Sequence, residues 1–285
     1  MSKISDSLNH KNIVCPFCSL HCDDLEIDVH DNKLCVKSNV PKSCANKYEK
    51  LNLPKFKDMV TTVKGKPCEP KKAYQYSRQL IKKSKETILL NSSSDVNVTR
   101  EVLSAASKVN AIVDHVNSSI FLKNISIYQR RGYMATSLTE IKNKSDVIVV
   151  FSNNLFETYL SLMEKFLATK NSFSINSKNK EIYVIGKKTN NTKNCSIKDK
   201  RITYVDFNNR DIPKLLNSFT SKKNRSSINN KDFNKLLASI ETSKYLSVLW
   251  ATSEFDSYKE CDEIIYNISA YVVSLNMTSR AACLS

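Results

Sequence analysis

Four cysteines near the start of the chain have types and spacing that suit metal chemistry. Three lie in Val14-Cys15-Pro16-Phe17-Cys18-Ser19-Leu20-His21-Cys22-Asp23-Asp24-Leu25, and the fourth follows 21 residues later in Ser43-Cys44-Ala45. A C-x2-C-x3-C run lets a tight loop wrap a cubane, and a distant fourth thiolate completes one ligand per iron while pinning two chain segments together. The first reading is therefore a candidate [4Fe-4S] cluster on Cys15, Cys18, Cys22 and Cys44. Structural zinc also accepts four thiolates, although it more often uses paired C-x2-C knuckles. A motif that no longer holds metal is the third reading. His21 reads as a solvated loop residue and not a ligand, and Asp23 and Asp24 as turn caps or the start of a strand. The remaining cysteines, Cys35, Cys68, Cys195, Cys261 and Cys283, are scattered and need no special role.

Other catalytic signatures are missing from the sequence. With Gly65, Gly132 and Gly186 as its only glycines, the chain cannot assemble G-x-x-x-x-G-K-[ST] or G-x-G-x-x-G, and it has neither H-E-x-x-H nor G-x-S-x-G. Of His10, His21, His30 and His115, only His115 falls at the end of a predicted strand, the edge where parallel sheets bind ligands. It reads either as a remnant pocket residue or as an ordinary packed histidine. Glu140, at a predicted helix start, reads as a capping or surface residue and not a catalytic acid. No catalytic residue and no cofactor-binding residue is assigned.

The elements that must position the thiols divide near residue 55. Residues 1–55 form a Cys-rich, iron–sulfur-type module with two candidate strands, Leu25–Val29 and Lys33–Lys37, across the turn His30-Asp31-Asn32. So small a module has little core, and a metal is a common way to hold one together. Residues 54–70, with Pro54, Gly65, Pro67 and Pro70, read as a linker. In residues 56–285 helical and strand patterns alternate. Strands are predicted at Thr87–Leu90, Ala111–Val113, Asp146–Phe151, Ile182–Ile185, Ile202–Val205 and Tyr245–Trp250. Helices are predicted from Lys71, from an Asp95 N-cap, and over Leu155–Ala168, Ile212–Phe219, Asp232–Thr242 and Glu260–Val273. That alternation predicts an α/β fold with parallel-sheet layers. Residues 171–180 and 187–200, rich in Asn, Ser and Lys, read as long surface loops.

Composition narrows the partners. A chain of 285 residues with 41% hydrophobic and 25% charged residues has the make-up of a soluble globular protein. No apolar run is long enough to span a bilayer, and Met1–Asp6 opens no signal peptide, so the expected location is cytoplasmic and no membrane partner is expected. In that compartment thiols stay reduced, which favours metal over disulfides. The net charge of +16 resides in polar stretches such as Lys187–Lys193 and Lys222–Arg225, without interleaved aromatic residues to stack bases. It reads as a Lys/Asn composition bias, with no nucleic-acid partner; docking against an acidic partner subunit stays open.

The string Cys-Pro-Phe-Cys-x-Leu-x-Cys-Asp-Asp-Leu at residues 15–25 resembles the opening of the B-type subunit of formylmethanofuran dehydrogenase, of the molybdopterin oxidoreductase superfamily. A second block carries the resemblance further: Val113-Asp114-His115, Asn124–Gln129, and Gly132-Tyr133-Met134-Ala135-Thr136-Ser137-Leu138-Thr139-Glu140-Ile141-Lys142-Asn143-Lys144-Ser145-Asp146. Leu275–Ala282 is a third, weaker one. The resemblance implies a degenerate molybdopterin-oxidoreductase fold. It also implies a metal-ligating cysteine shortly after Asp114, where this chain has Ile120, followed by Phe121 and Leu122. A tungsten or molybdenum pterin is therefore expected to be absent. The departures point to the methylotroph branch of the family, the formyltransferase/hydrolase complex. There the implied role is a non-catalytic scaffold of the B type beside the A-, C- and D-type subunits, in tetrahydromethanopterin-linked metabolism of formaldehyde to formate. The alternative is an active formylmethanofuran dehydrogenase component of the B type, an oxidoreductase subunit with a [4Fe-4S] cluster and the pterin metal. The family continues past the last block here, so a C-terminal truncation is expected, with a sheet left incomplete or exposed.

Overall fold

The computed structural model describes residues 8–30, 33–37, 44–48, 60–92, 95–151, 154–159, 161–169, 180–186, 202–207, 211–220, 228, 230–256 and 261–285. The chain forms two compact units, one of residues 1–51 with 123–285 and one of residues 52–122.

The first unit opens with a three-stranded antiparallel sheet in the order β1 (Leu8–Ile13), β2 (Leu25–His30), β3 (Lys33–Val36). The two expected strands are β2 and β3, pairing Ile27 with Val36 and Val29 with Leu34. The polar strand β1 joins them with a register shift between His10 and Ile13, where Asn12 takes a positive φ of 57°. The cysteine loop runs between β1 and β2. Cys44 stands just before the short helix α1 (Ala45–Tyr48).

In the second unit, β4 (Thr62–Val63) and β5 (Lys66–Pro67) pair as a small hairpin, so part of the expected linker is ordered structure. Its two-residue turn has Lys64 at φ 52° and Gly65 at φ 75°, both positive as a primed hairpin turn requires. Helix α2 (Pro70–Lys83) follows. Strands β6 (Ile88–Asn91) and β7 (Ile112–His115) then form a two-stranded parallel sheet joined by helix α3 (Val96–Val109). Asp95 caps α3 as expected, accepting from the amides of Asn97 and Val98 at 2.7 and 3.0 Å.

Helix α4 (Ser118–Arg131), absent from the sequence-based assignment, contains the division between the units in its second turn. Gly132 ends it at φ 78°, donating to the Tyr128 carbonyl at 2.9 Å. The body of the first unit then contains α5 (Leu138–Lys144), β8 (Val147–Phe151), α6 (Asn154–Thr158), a π-helix (Met163–Leu167), β9 (Glu181–Ile185), β10 (Ile202–Val205), α7 (Ile212–Thr220), α8 (Lys231–Thr242), β11 (Tyr245–Trp250), α9 (Thr252–Phe255), α10 (Cys261–Leu275) and β12 (Arg280–Leu284). Five strands form one parallel sheet in the order β10-β9-β8-β11-β12. The fold is thus mixed α/β with a parallel sheet, as the sequence predicts.

Both central strands are buried along their whole length, and strand alternation sends their side chains into two cores. Val147, Val149, Phe151, Leu246, Val248 and Trp250 face one core with α7, α8 and α10. Ile148, Val150, Ile182, Val184 and Leu249 face the other, closed by Ile141, Phe156, Met163 and Leu167 and by Leu20 of the cysteine loop. The predicted helix over Leu155–Ala168 is two pieces instead of one. It stops at Thr158 and resumes as the π-helix, closed by the Ala168 amide on the Met163 carbonyl at 2.8 Å. The wider turn keeps Met163 and Leu167 in the core while Lys165 faces the cysteine loop. The sheet edge at β12 is not bare. Ala135 bridges to Cys283, the Cys283 amide donates to the Met134 carbonyl at 2.7 Å, and the Thr136 amide donates to the Cys283 carbonyl at 2.9 Å.

No helix among the described residues is long and apolar enough to cross a membrane. Residues 187–200, most of 171–180, the Lys222–Arg225 stretch and Cys195 lie outside the described residues. Of the other scattered thiols, Cys35 is exposed, Cys68 half-buried, and Cys261 and Cys283 buried in the core, all free.

Candidate functional site

The cysteine loop is held closed by its own backbone. The Cys15 amide donates to the Cys22 carbonyl at 2.7 Å, and the His21 amide donates to the Cys18 carbonyl at 3.2 Å, with His21 at a positive φ of 45°. The loop is also anchored to the α/β body. Leu20 is buried in the second core, and Cys18 and Cys22 pack against the same core. Cys15 and Cys44 are buried.

Three thiols have polar neighbours from different elements. The Tyr48 hydroxyl at the end of α1 donates to Cys15 Sγ at 3.6 Å. Cys44 Sγ lies 3.1 Å from the buried Ser161 hydroxyl, which stands between α6 and the π-helix. Lys165 of the π-helix forms an ion pair with Asp24, and its positive charge acts on Cys22. A neighbouring contact, Ser19 Oγ to Tyr159 Oη at 3.3 Å, joins the same two segments.

Burial and neighbouring charges shift the groups around the loop. Burial pushes the Tyr48 phenol well above its ordinary value, and Cys15, Cys44 and Cys22 push it the same way. Burial also raises the Cys22 thiol, against the lowering effect of Lys165, while Cys18 adds to the rise. For Lys165 burial works against the charge, but the bond to Asp24 and the neighbouring Cys22 outweigh it and hold its pKa up. A cleft of about 960 Å3 opens beside the loop, lined by Cys22, Asp24, Lys142, Asn143, Lys165 and Phe166 among others.

The donor set tests which metal the residues suit. Among the described residues, no three Cys, His, Asp or Glu side chains converge on one point, as a single bound ion requires. His21 is exposed.

The residues of the second and third sequence blocks have structural partners. Ser137 caps α5 by accepting from the Glu140 amide at 3.1 Å. Burial alone would raise the Glu140 carboxyl, but hydrogen bonds from Tyr245 and Lys144 and the charges of Lys144 and Arg280 hold it below its ordinary value. Glu140 lies 3.4 Å from Lys144 and 3.7 Å from Arg280. Asp146 accepts the amides of Lys244 and Tyr245 at 2.8 and 3.0 Å, tying the starts of β8 and β11 together. In the second unit, Asp114 accepts the His115 amide at 2.8 Å and His115 Nδ1 accepts the Asn117 amide at 3.3 Å, so both close the turn into α4. Ile120 is half-buried in the first turn of that helix. Sequence reasoning missed Tyr48, Ser161 and Lys165, since none sits in a recognisable motif.

No family model matches the chain. It is 25% identical over 162 residues to the B-type subunit of the tungsten-containing formylmethanofuran dehydrogenase 2 of Methanococcus maripaludis, covering 55% of this chain and 37% of that protein. It is 25% identical over 167 residues to the protein of the same name from Methanocaldococcus jannaschii, with the same coverage. The match thus spans little more than a third of these curated relatives. Among solved structures, a chain of the formyltransferase/hydrolase complex (FhcABCD) from Methylorubrum extorquens, in complex with methylofuran, superimposes with a TM-score of 0.63 at 16% identity. That match covers 78% of this chain and 59% of the other. This chain is therefore a partial homologue of the B-type subunit of formylmethanofuran dehydrogenase, and it has the fold of a chain of the formyltransferase/hydrolase complex.

Proposed function

We propose that this chain is a non-catalytic, scaffold-type B component of a cytoplasmic formyltransferase/hydrolase complex, acting beside the A-, C- and D-type subunits. The pathway is tetrahydromethanopterin-linked one-carbon metabolism from formaldehyde to formate, with formyl transfer and hydrolysis carried out on the other subunits. The fold is a degenerate molybdopterin-oxidoreductase fold, with a structural [4Fe-4S] cluster on Cys15, Cys18, Cys22 and Cys44 in place of a working redox centre.

The observation that supports this reading is the use made of the family-like residues. Glu140 is engaged by Lys144 and Arg280, Asp146 by two backbone amides, and His115 by a turn amide, while isoleucine stands at position 120. These groups brace the fold and leave no side chain at that position to ligate tungsten or molybdenum.

One observation favours a second reading, an active dehydrogenase subunit: both curated relatives are named tungsten-containing formylmethanofuran dehydrogenases. Elemental analysis of the complex co-purified anaerobically separates the two. Iron near four atoms per chain without tungsten or molybdenum is the expected result. Stoichiometric tungsten or molybdenum overturns the scaffold reading, and purification of the chain without companion subunits overturns its place in a complex.

A further inference from the structure

Exposed apolar side chains are concentrated in the second unit. Of the 18 large hydrophobic residues exposed among the described residues, 14 lie within 52–122, a quarter of the chain. Three of them form a patch on its sheet. Ile88 and Leu90 of β6 and Ile112 of β7 are 65%, 65% and 57% exposed, and strand alternation sends all three to one face of the parallel pair. Leu89 and Val113 turn to the other face, which meets α3. Ile88 stands opposite Ile112, and Asp114, opposite Leu90, ends the patch on the side that leads into α4. A parallel sheet is ordinarily covered on both faces, because its connections lay helices over each. Here α3 covers one face, and the other is apolar and open among the described residues.

Charge indicates what kind of surface fits. Residues 52–122 have 12 Lys and Arg against 6 Asp and Glu, a net charge of +6. Lys82, Lys83 and Lys85 lead into β6, and Lys108 ends α3 ahead of β7. All four are exposed, and none has an ion-pair partner among the described residues. Two copies of the chain meeting at this patch would set +16 against +16, which opposes a self-contact.

We propose that the open face of β6 and β7 docks a helix of a companion subunit, apolar along the side that meets Ile88, Leu90 and Ile112 and rich in Asp and Glu beside it. The inference rests on the reading of this chain as one component of a complex. The docked helix supplies the layer that the sheet lacks. Burial of the three large side chains holds the contact, while Lys82, Lys83, Lys85 and Lys108 meet carboxylates at its rim and act mainly on partner choice and association rate.

The test uses the full chain purified with its companion subunits, with the photocrosslinking amino acid p-benzoylphenylalanine at position 90. After irradiation the linked peptides are identified by mass spectrometry. The expected link is to a segment of one companion subunit with an excess of Asp and Glu. A link to a basic or uncharged segment, to a second copy of this chain, or to residues 1–51 or 123–285 of the same chain overturns the proposal. So does no link at all from an intact complex. A chain that purifies alone overturns the complex reading itself, and the inference falls with it. Leu90→Glu and Leu90→Lys give a second readout, incorporation into the complex in competition with the parent. Leu90 is 65% exposed, so both variants should keep the parent's far-UV circular dichroism. Each is expected to be incorporated at least about tenfold less well, because a charge buried among apolar side chains costs more than one decade of affinity. Leu90→Glu should lose more than Leu90→Lys, because it also repels the acidic side of the helix. Incorporation equal to the parent, or the opposite order, overturns the proposal.

Discussion

Asp146 offers the cleanest test of whether the family-like block is structural. Its two carboxylate oxygens accept the Tyr245 and Lys244 amides at 3.0 and 2.8 Å, joining the start of β8 to the start of β11. Tyr245 is buried, whereas the Lys244 contact is exposed. Hydrogen bonds to a charged group contribute about 1.5–3 kcal/mol each, and the exposed one counts near the low end because water replaces it. Asp146→Ala should then cost about 3 kcal/mol, and in a unit of this size that lowers Tm by about 6–12 °C. Asp146→Asn keeps one acceptor oxygen but turns an N–H2 group toward an amide N–H, so about half the loss or more remains. Urea unfolding followed by far-UV circular dichroism gives the free energy, and differential scanning calorimetry gives Tm. An Asp146→Ala protein within about 0.5 kcal/mol of the parent would refute the reasoning, because that is the range of surface substitutions with no structural role.

The Glu140 carboxyl is held below its ordinary value in the folded chain, so its contribution to stability is present above the unfolded pKa, about 4.3, and is lost as pH falls through the lower folded pKa. Glu140→Gln should therefore be less stable than the parent at neutral pH, with the gap closing toward about pH 3, as chemical denaturation across that range will show. Trp250, the only tryptophan, is fully buried and its indole N–H has no hydrogen-bond partner among the described residues. Its emission should be strongly blue-shifted and protected from acrylamide, moving to the red on unfolding; a red-shifted, quenchable native spectrum contradicts the burial.

Much of the sheet was legible because buried parallel strands read as continuous β-branched and aromatic runs. Val147–Phe151 and Tyr245–Trp250 are such runs, and both are central strands. The elements that were missed are those whose signals are weak on their own. β1 is polar and bulged, β12 is only Arg-Ala-Ala-Cys-Leu, and α4 mixes Ser, Asn, Lys and Gln with its apolar residues, of which Ile127 alone is buried. Their places are set by tertiary pairing, such as Cys283 against Met134 and Thr136. The split of the predicted Leu155–Ala168 helix was not legible either. Its helical periodicity is intact, and the break is tied to contacts of Ser161 and Lys165 with residues more than a hundred positions away. At the candidate site, the four thiols were legible from spacing, and their polar neighbours Tyr48 and Ser161 were not, because those contacts arise only through the fold.

The two units also differ in how much core they have, and that difference is measurable. Among the described residues of 52–122, Ala106 is the only one buried. Ile88, Leu90 and Ile112 on one face of the β6–β7 pair are each more than half exposed, and only the opposite face, with Leu89 and Val113 half-buried, meets α3. A two-stranded sheet with one covered face has little to resist opening. By contrast β8 and β11 are buried at every position. Local opening free energy follows buried apolar contact. Amides of β6, β7 and α3 should therefore exchange with solvent at least about a hundredfold faster than those of β8 and β11, a gap of about 2.8 kcal/mol at about 1.4 kcal/mol per decade. Hydrogen exchange read by mass spectrometry on the isolated chain measures this directly, and equal protection of the two sheets would show that the second unit has a core beyond Ala106. The same measurement on the chain within the proposed complex shows where the order of the second unit comes from. If exchange of β6 and β7 slows there while that of β8 and β11 does not change, the free energy that orders the second unit comes from a bound partner and not from its own fold.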